Sequence, residues 1–166
     1  MGIPNVDRPF MPAGYGIDEA TDFVSWEVVE SKLIESLHYW LATVTPEATP
    51  HVVPRWGVWL EGAFWYDGSP ETRHVRNLDE HPDCALHLED GAAAVIVYGR
   101  SDSAQPASGE WGKRLSSEFQ RKYAPGYAPG PDAWTGDAAG GLRVIRPRLA
   151  HAWTGFPIDM TRFSFE

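Results

Sequence analysis

The chain has 166 residues, a formal net charge of −9, 43% hydrophobic residues and 13% aromatic residues. This length fits one domain with a sizeable core, and this composition excludes a largely disordered chain. The negative charge argues against nucleic acid or an anionic membrane surface as a partner, because both require a basic face. It remains compatible with an anionic small ligand, since binding of such a ligand depends on the local field.

A single cysteine, Cys84, excludes a disulfide within the chain, and no spacing of Cys and His indicates a metal site. The first residues lack the apolar segment of a secretion signal. No apolar run approaches the ~18–20 residues that a membrane span requires. We therefore expect a cytoplasmic protein with no metal and no membrane partner.

The first elements in chain order are an arm and a helix. Residues 1–16 are rich in Pro and Gly, which predicts an irregular N-terminal arm. Ser25 is placed as an N-cap, and the apolar residues after it recur at intervals of three and four. This stripe, which predicts a helix buried on one face, consists of Trp26, Val29, Leu33, Leu37 and Trp40.

Runs of strand-forming residues, separated by turn signals, occupy most of the remaining chain. We predict strands over 39–45, 51–60, 63–66, 84–88, 93–98, 142–153 and 162–165. The second strand should break or bulge near Pro54, because proline cannot donate to a ladder. Helical spacing predicts helices over 72–79 and 110–123, and the Pro/Gly-rich segment 124–141 predicts a long surface loop. Closely spaced hairpins favour a mainly β, barrel-like fold, built as a single domain over 1–166.

Candidate anion ligands follow the aromatic strand at 63–66. They are Gly68, Ser69, Thr72, Arg73 and Arg76. Small donors and guanidinium groups placed after a strand suit a phosphate, because Arg pairs two oxygens and a helix N-terminus adds N–H donors. On the residues alone, a solvated helix face, in which both arginines pair with neighbouring carboxylates, is the favoured interpretation. Arg55, within an apolar strand, points either to solvent or inward toward a ligand.

Three segments, in this order and spacing, resemble the pyridoxamine 5′-phosphate oxidase-like, flavin-binding split-barrel family. They are residues 39–59, 68–82 and 146–163. The resemblance covers most of the chain, from Trp26 to Phe165. It implies a six-stranded antiparallel Greek-key split β-barrel with flanking helices, which forms a homodimer with cofactor sites at the interface.

The resemblance also implies a cofactor site. In this family the first long strand lies along the flavin through its backbone, and the residues matching Thr72 and Arg73 bind the phosphate. The implied cofactor-binding residues are His51, Val52, Val53, Pro54, Arg55, Gly68, Ser69, Thr72, Arg73, Arg76 and Trp153. Where a basic residue commonly follows the phosphate-binding arginine, this chain has His74. Arg162 lies near a position that contacts the ring system in some members.

The implied function is a flavin-type oxidoreductase acting on a small-molecule substrate that the sequence does not identify. Its cofactor would be FMN or, alternatively, the 8-hydroxy-5-deazaflavin coenzyme, and no catalytic side chain is assigned because the cofactor carries the chemistry. Oxidation of pyridoxamine phosphate itself is not expected, since the full set of basic residues for the substrate phosphate is missing. The alternative from another class is a non-catalytic split-barrel protein that binds haem, a tetrapyrrole or another small ligand.

Overall fold

The computed structural model of the protein describes residues 2–15, 22–103, 107–135 and 141–166. These residues form an antiparallel sheet flanked by three α-helices, which confirms the mainly β prediction. The strands are β1 (Asn5–Asp7), β2 (Tyr39–Val44), β3 (Pro50–Arg55), β4 (Val58–Leu60), β5 (Ala63–Asp67), β6 (Asp83–His87), β7 (Val95–Ser103), β8 (Leu142–Ala152) and β9 (Thr161–Ser164). The helices are α1 (Trp26–Glu35), α2 (Arg73–Glu80) and α3 (Gly109–Tyr123).

The sheet is arranged around the long strand β8. The hydrogen-bonded order is β1-β9-β8-β7-β6-β2-β3, and every pair is antiparallel. On the side away from β7, β8 pairs with β5 over its first residues and with β9 over its last residues. The sheet therefore divides at β8, which is consistent with the split barrel that the sequence predicts. Strand β3 lies at one edge of this order.

Two groups of apolar side chains form the core. The larger group fills the space between the sheet and α1, and its fully buried members include Tyr39, Leu41, Phe64 and Ile145. The smaller group lies under α3, where Leu115, Phe119 and Tyr123 of this helix pack with Val58 of β4. None of the helices in the described part of the chain is both long and apolar enough to cross a bilayer.

Helix α1 begins where the sequence predicts and ends earlier. The side chain of Ser25 accepts a hydrogen bond from the backbone N of Val28 at 3.4 Å, so the predicted N-cap is confirmed. The predicted continuation of the helical stripe to Leu37 and Trp40 is wrong. Ser36 adopts extended backbone with ψ of 133°, which stops the helix after Glu35. Trp40 instead belongs to β2, where its ring stacks on His87.

The predicted strand over 51–60 is interrupted, although not at Pro54. Pro54 pairs with Trp40 inside β3, and proline is tolerated there because β3 is an edge strand. The interruption falls at Trp56 and Gly57, between β3 and β4. A Cβ atom at Gly57 would lie 2.4 Å from the ring of Phe64, so only glycine allows this close approach.

The N-terminal arm is more ordered than the prediction of an irregular segment. Residues Asn5–Asp7 form β1, which pairs with β9. The guanidinium of Arg162 donates two hydrogen bonds to the carboxylate of Asp7, and this pair holds the pKa of Asp7 below its usual value. A strand of three residues has no alternation long enough to be recognised in a sequence, and it forms here because β9 offers a free edge.

Candidate cofactor-binding site

The segment between β5 and α2, residues 68–72, forms a tight turn that we call the anion turn. The backbone oxygen of Ser69 accepts hydrogen bonds from both the backbone N (3.0 Å) and the hydroxyl (2.7 Å) of Thr72. The backbone N of Gly68 donates to the oxygen of Gly141 at 3.3 Å. Gly141 has φ of +88°, and a Cβ atom there would lie 2.6 Å from the Gly68 oxygen. The turn is therefore anchored to the start of β8.

Arg73 and Arg76 lie on the exposed face of α2, directly after the anion turn. Neither arginine forms an ion pair with any residue that the structure describes. The carboxylate of Asp79, one of the neighbours that could have paired with them, instead accepts a hydrogen bond from the buried Arg143 at 2.9 Å. Both guanidinium groups are therefore exposed and hold no close ion pair, although the charge of Arg73 contributes to lowering the pKa of the nearby Glu47 carboxyl.

His74 points in the opposite direction, into the protein beneath the anion turn. Its Nε2 atom lies 3.4 Å from the hydroxyl of Thr72, and its ring centroid lies 5.9 Å from that of Tyr66. Burial, together with the positive charge of Arg55, lowers the pKa of His74 to about 4. The side chain is therefore a neutral imidazole near pH 7, and it adds no positive charge to the turn.

Strand β3 carries the predicted residues from His51 to Arg55. Val52 and Pro54 point outward and are exposed, whereas His51, Val53 and Arg55 are half-buried. One edge of β3 pairs with β2, and its other edge pairs with no described strand. Backbone N–H and C=O groups on that second edge are consequently available to a ligand.

Hydrogen bonds connect this strand to α2. The amide nitrogen of Asn77 in α2 donates to the hydroxyl of Thr43 in β2 at 3.0 Å. That hydroxyl lies 3.4 Å from the Nδ1 atom of His51 in β3. All three elements are thus fixed relative to one another, and sequence reasoning did not identify Asn77 or Thr43.

A cavity of about 500 Å³ opens beside the anion turn, and we call it the Arg55 cavity. It is lined by Pro54, Arg55, Trp56, Asp67, Ser69, Phe119 and Tyr127. The structure thus brings three predicted site residues, Pro54, Arg55 and Ser69, to one cavity. Sequence reasoning missed Trp56, Asp67, Phe119 and Tyr127. One sequence feature could have indicated Tyr127. This residue lies in the long Pro/Gly-rich loop, and loops of that length are often functional.

Trp153 is not close to the other predicted site residues within one chain. It follows the last residue of β8, where its ring packs against Phe156 with centroids 5.5 Å apart. The opposite end of β8 pairs with Asp67 beside the anion turn, and this strand of 11 residues spans about 35 Å. Arg162 is likewise engaged elsewhere, with Asp7. Trp134 is 1% exposed and packs on Phe119 in the core.

Comparisons with known proteins give one match by sequence profile and several matches by structure. The profile described as Pyridoxamine 5′-phosphate oxidase matches residues 26–152. A search of curated proteins gives no significant match. An F420 reductase structure is 24% identical, with a TM-score of 0.56, and the match covers 73% of this chain and 94% of that chain.

Two further structures come from haem proteins. A heme binding protein from Mycobacterium smegmatis is 20% identical with a TM-score of 0.62, covering 81% of this chain and 56% of that chain. HutZ, the heme storage protein from Vibrio cholerae, is 17% identical with a TM-score of 0.54, covering 73% of this chain and 86% of that chain. At these identities the structural matches establish the fold alone.

Proposed function

The chain belongs to the pyridoxamine 5′-phosphate oxidase family, and from this premise we propose that it is an oxidoreductase that binds FMN or the 8-hydroxy-5-deazaflavin coenzyme. When bound, either cofactor supplies hydride or two-electron transfer at its ring. The chain itself would grip the phosphate, orient the ring and exclude water. We expect no essential side-chain nucleophile, and the substrate would be a small molecule.

The observation that carries this proposal is the pair of exposed arginines that follow the anion turn and form no close ion pair with a described residue. Arg73 is the first residue of α2 and Arg76 follows three positions later, and the helix begins directly after the turn that carries the hydroxyls of Ser69 and Thr72. Hydroxyl, guanidinium and backbone N–H donors are the groups that bind a phosphate most strongly. The buried, neutral His74 contributes no charge, so we expect Arg73 to contribute much of the affinity for the phosphate.

The free edge of β3 supports the same proposal. Backbone groups of residues 51–55 would hold the polar edge of the ring, and the hydrogen-bonded link from Asn77 through Thr43 would keep β3 at a fixed distance from α2. The half-buried Arg55 has a buried Nε atom with no hydrogen-bond partner, so the site contains a polar group that the described chain leaves unsatisfied.

A row of apolar residues on the outer face of the sheet supports a homodimer. Cross-strand pairing places one residue from each of five adjacent strands in register, from β3 through β2, β6 and β7 to β8. The row consists of Val52, Ala42, Ala85, Tyr98 and Leu149. Val52 is 48% exposed and Tyr98 is 40% exposed, and monomers rarely leave a continuous apolar row open to water. In such a dimer, the tryptophan that contacts the cofactor would be the Trp153 of the second chain, because Trp153 lies far from the other site residues of its own chain.

The second candidate is a haem-binding protein without catalytic activity, which the two haem proteins of the same fold favour. An absorbance spectrum of the protein as isolated separates the candidates. We expect a flavin or deazaflavin spectrum, or an apo-protein that acquires one on addition of cofactor. A Soret band with no flavin peak would favour the haem-binding alternative and contradict the proposal.

A further inference from the structure

Lys122, in the last turn of α3, places its amine among groups from other elements of the fold. Its Nζ atom donates to the hydroxyl oxygen of Tyr39 at 2.8 Å and to the backbone oxygen of Gly57 at 3.1 Å. The ring centroids of Tyr39 and Tyr123 lie 4.7 Å and 5.6 Å from the same atom. Tyr39 is fully buried, whereas Lys122 is half-buried and keeps some contact with solvent. The amine is therefore shielded from water without being sealed in the core.

The hydrogen-bond partners of this amine match its neutral form. A neutral amine has two N–H donors and one lone pair, whereas an ammonium group has three donors and no acceptor. The hydroxyl of Tyr39 is an acceptor here, because it donates its own proton to the backbone oxygen of Leu33. Tyr39 and Gly57 thus satisfy two donors of Lys122, and a third donor would have no acceptor within the described part of the chain.

The carboxylates near this amine are engaged by another residue. Arg121 pairs with Glu35 at 3.3 Å and with Glu118 at 3.0 Å, whereas Lys122 forms no salt bridge with any residue in the described ranges. Burial, together with the charge of Arg121, lowers the pKa of Lys122 from 10.5 to about 7, although Glu35 and Glu118 oppose this shift. Near pH 7 about half of such amines are neutral, compared with roughly one in 3,000 for an ordinary lysine.

We propose that Lys122 is an acylation site, whose amine accepts an acyl group directly from an acyl phosphate. The lone pair of Nζ attacks the carbonyl carbon and forms a C–N bond. The bond from that carbon to the phosphate oxygen breaks, phosphate leaves with the electron pair, and the nitrogen loses one proton to water. Desolvated lysines act as nucleophiles, and lysine side chains are targets of acetylation. The site goes beyond the proposed cofactor function and does not depend on it, because Lys122 does not line the Arg55 cavity.

Acylation of Lys122 would act on the neighbouring cavity without contacting it. An acylated Nζ keeps one N–H donor, so it loses its bond to either Tyr39 or Gly57. Gly57 directly follows Trp56, which lines the Arg55 cavity and stacks on Tyr123 with centroids 5.1 Å apart. The modification would therefore weaken contacts that fix this wall of the cavity.

The chain has three lysines, Lys32, Lys113 and Lys122, so a labelling experiment can follow each of them. Full-length protein is incubated with acetyl phosphate at about pH 7.5, and mass spectrometry of its peptides gives the rate at each lysine. Lys113 is the matched control, because it lies exposed on the same helix and pairs with Glu110 at 2.7 Å. Lys122 should react about 10-fold or more faster than Lys113, since its larger neutral fraction outweighs its burial. A rate at or below that of Lys113 would overturn the proposal.

The pH profile and unfolded protein show whether the fold activates the amine. Between about pH 6 and 9 the rate at Lys122 should level off, whereas the rate at Lys113 should rise about tenfold per pH unit throughout. In concentrated urea the two lysines should react alike, because the surroundings of Nζ are lost. The tyrosine rings favour an ammonium form through cation–π attraction. If that attraction dominates, the rate at Lys122 will rise with pH as at Lys113, and the proposal fails. A preference for Lys122 that persists in urea would equally refute activation by the fold.

Discussion

Arg73 is the side chain on which the proposed binding of the cofactor phosphate depends most. Replacing it with Ala removes a charge-assisted hydrogen bond of roughly 1.5–3 kcal/mol, so the dissociation constant for FMN should rise about 10- to 150-fold. Arg73→Lys should recover part of the affinity, because Lys keeps the charge and loses the planar fork. Isothermal titration with FMN measures both changes.

Riboflavin provides the control for this prediction, since it has the same ring and no phosphate. Its affinity should change little in Arg73→Ala. Arg114, an exposed arginine that pairs with Glu61 away from the site, offers a matched variant whose loss should leave FMN binding unaltered. Equal losses for FMN and riboflavin in Arg73→Ala would mean that Arg73 acts through the structure of α2.

His74 makes the stability of the fold depend on pH. Burial lowers its pKa from 6.5 to about 4, so between these values the unfolded chain binds more protons than the folded chain. The free energy of unfolding should therefore fall as the pH falls from 6.5 toward 4. His74→Gln should reduce this slope relative to the wild type, as urea denaturation at several pH values would measure. An unchanged slope would mean that His74 titrates normally in the folded protein.

At the scale of elements, the break between β3 and β4 depends on a glycine. Gly57→Ala would place a methyl group 2.4 Å from the Phe64 ring and 2.6 Å from the oxygen of Trp65, and both contacts are too short, so the surrounding structure must shift. We expect a loss of about 1–3 kcal/mol in the free energy of unfolding, as for other overpacked cores. Urea denaturation measures it. Gly91→Ala is the matched control, because a Cβ atom at Gly91 meets nothing within 4 Å, and a stability loss equal to the control would refute the steric argument.

The sequence predicted most elements because their patterns are local. The N-cap at Ser25, the apolar stripe of α3 and the alternation in β2 each depend on residues a few positions apart. The predictions were wrong for elements whose structure depends on residues far away in the chain. Three-residue β1 exists because β9 pairs with it, and Pro54 stays within β3 because the strand happens to lie at an edge.

The anion turn could be predicted from the sequence for the same reason. Its candidate residues all lie within nine consecutive positions, from Gly68 to Arg76. The Arg55 cavity could not be predicted from the sequence. Tyr127 and Asp67 form one hydrogen bond although 60 positions separate them in the chain. Tyr127 follows α3 and Asp67 is the last residue of β5, so their contact depends on tertiary packing, and no local pattern encodes it.

At the scale of the whole molecule, the apolar row on the outer face predicts a homodimer. Tyr98→Asp would place a charge in the middle of this row, and it should convert the dimer to a monomer because a buried, unpaired carboxylate is costly. Light scattering at micromolar concentration measures the molar mass. Val28→Asp is the control, since Val28 is 46% exposed on α1, outside the row. A wild-type protein that is monomeric at this concentration would contradict the proposal.

The most direct test of the central claim is a calorimetric titration of the purified protein with FMN and with the 8-hydroxy-5-deazaflavin coenzyme. The exposed arginines after the anion turn, which form no close ion pair with a described residue, and the free edge of β3 lead us to expect that one of the two binds with micromolar or tighter affinity, at one molecule per chain. Binding of neither cofactor would contradict the account, and a Soret band on addition of haemin would then favour the haem-binding alternative.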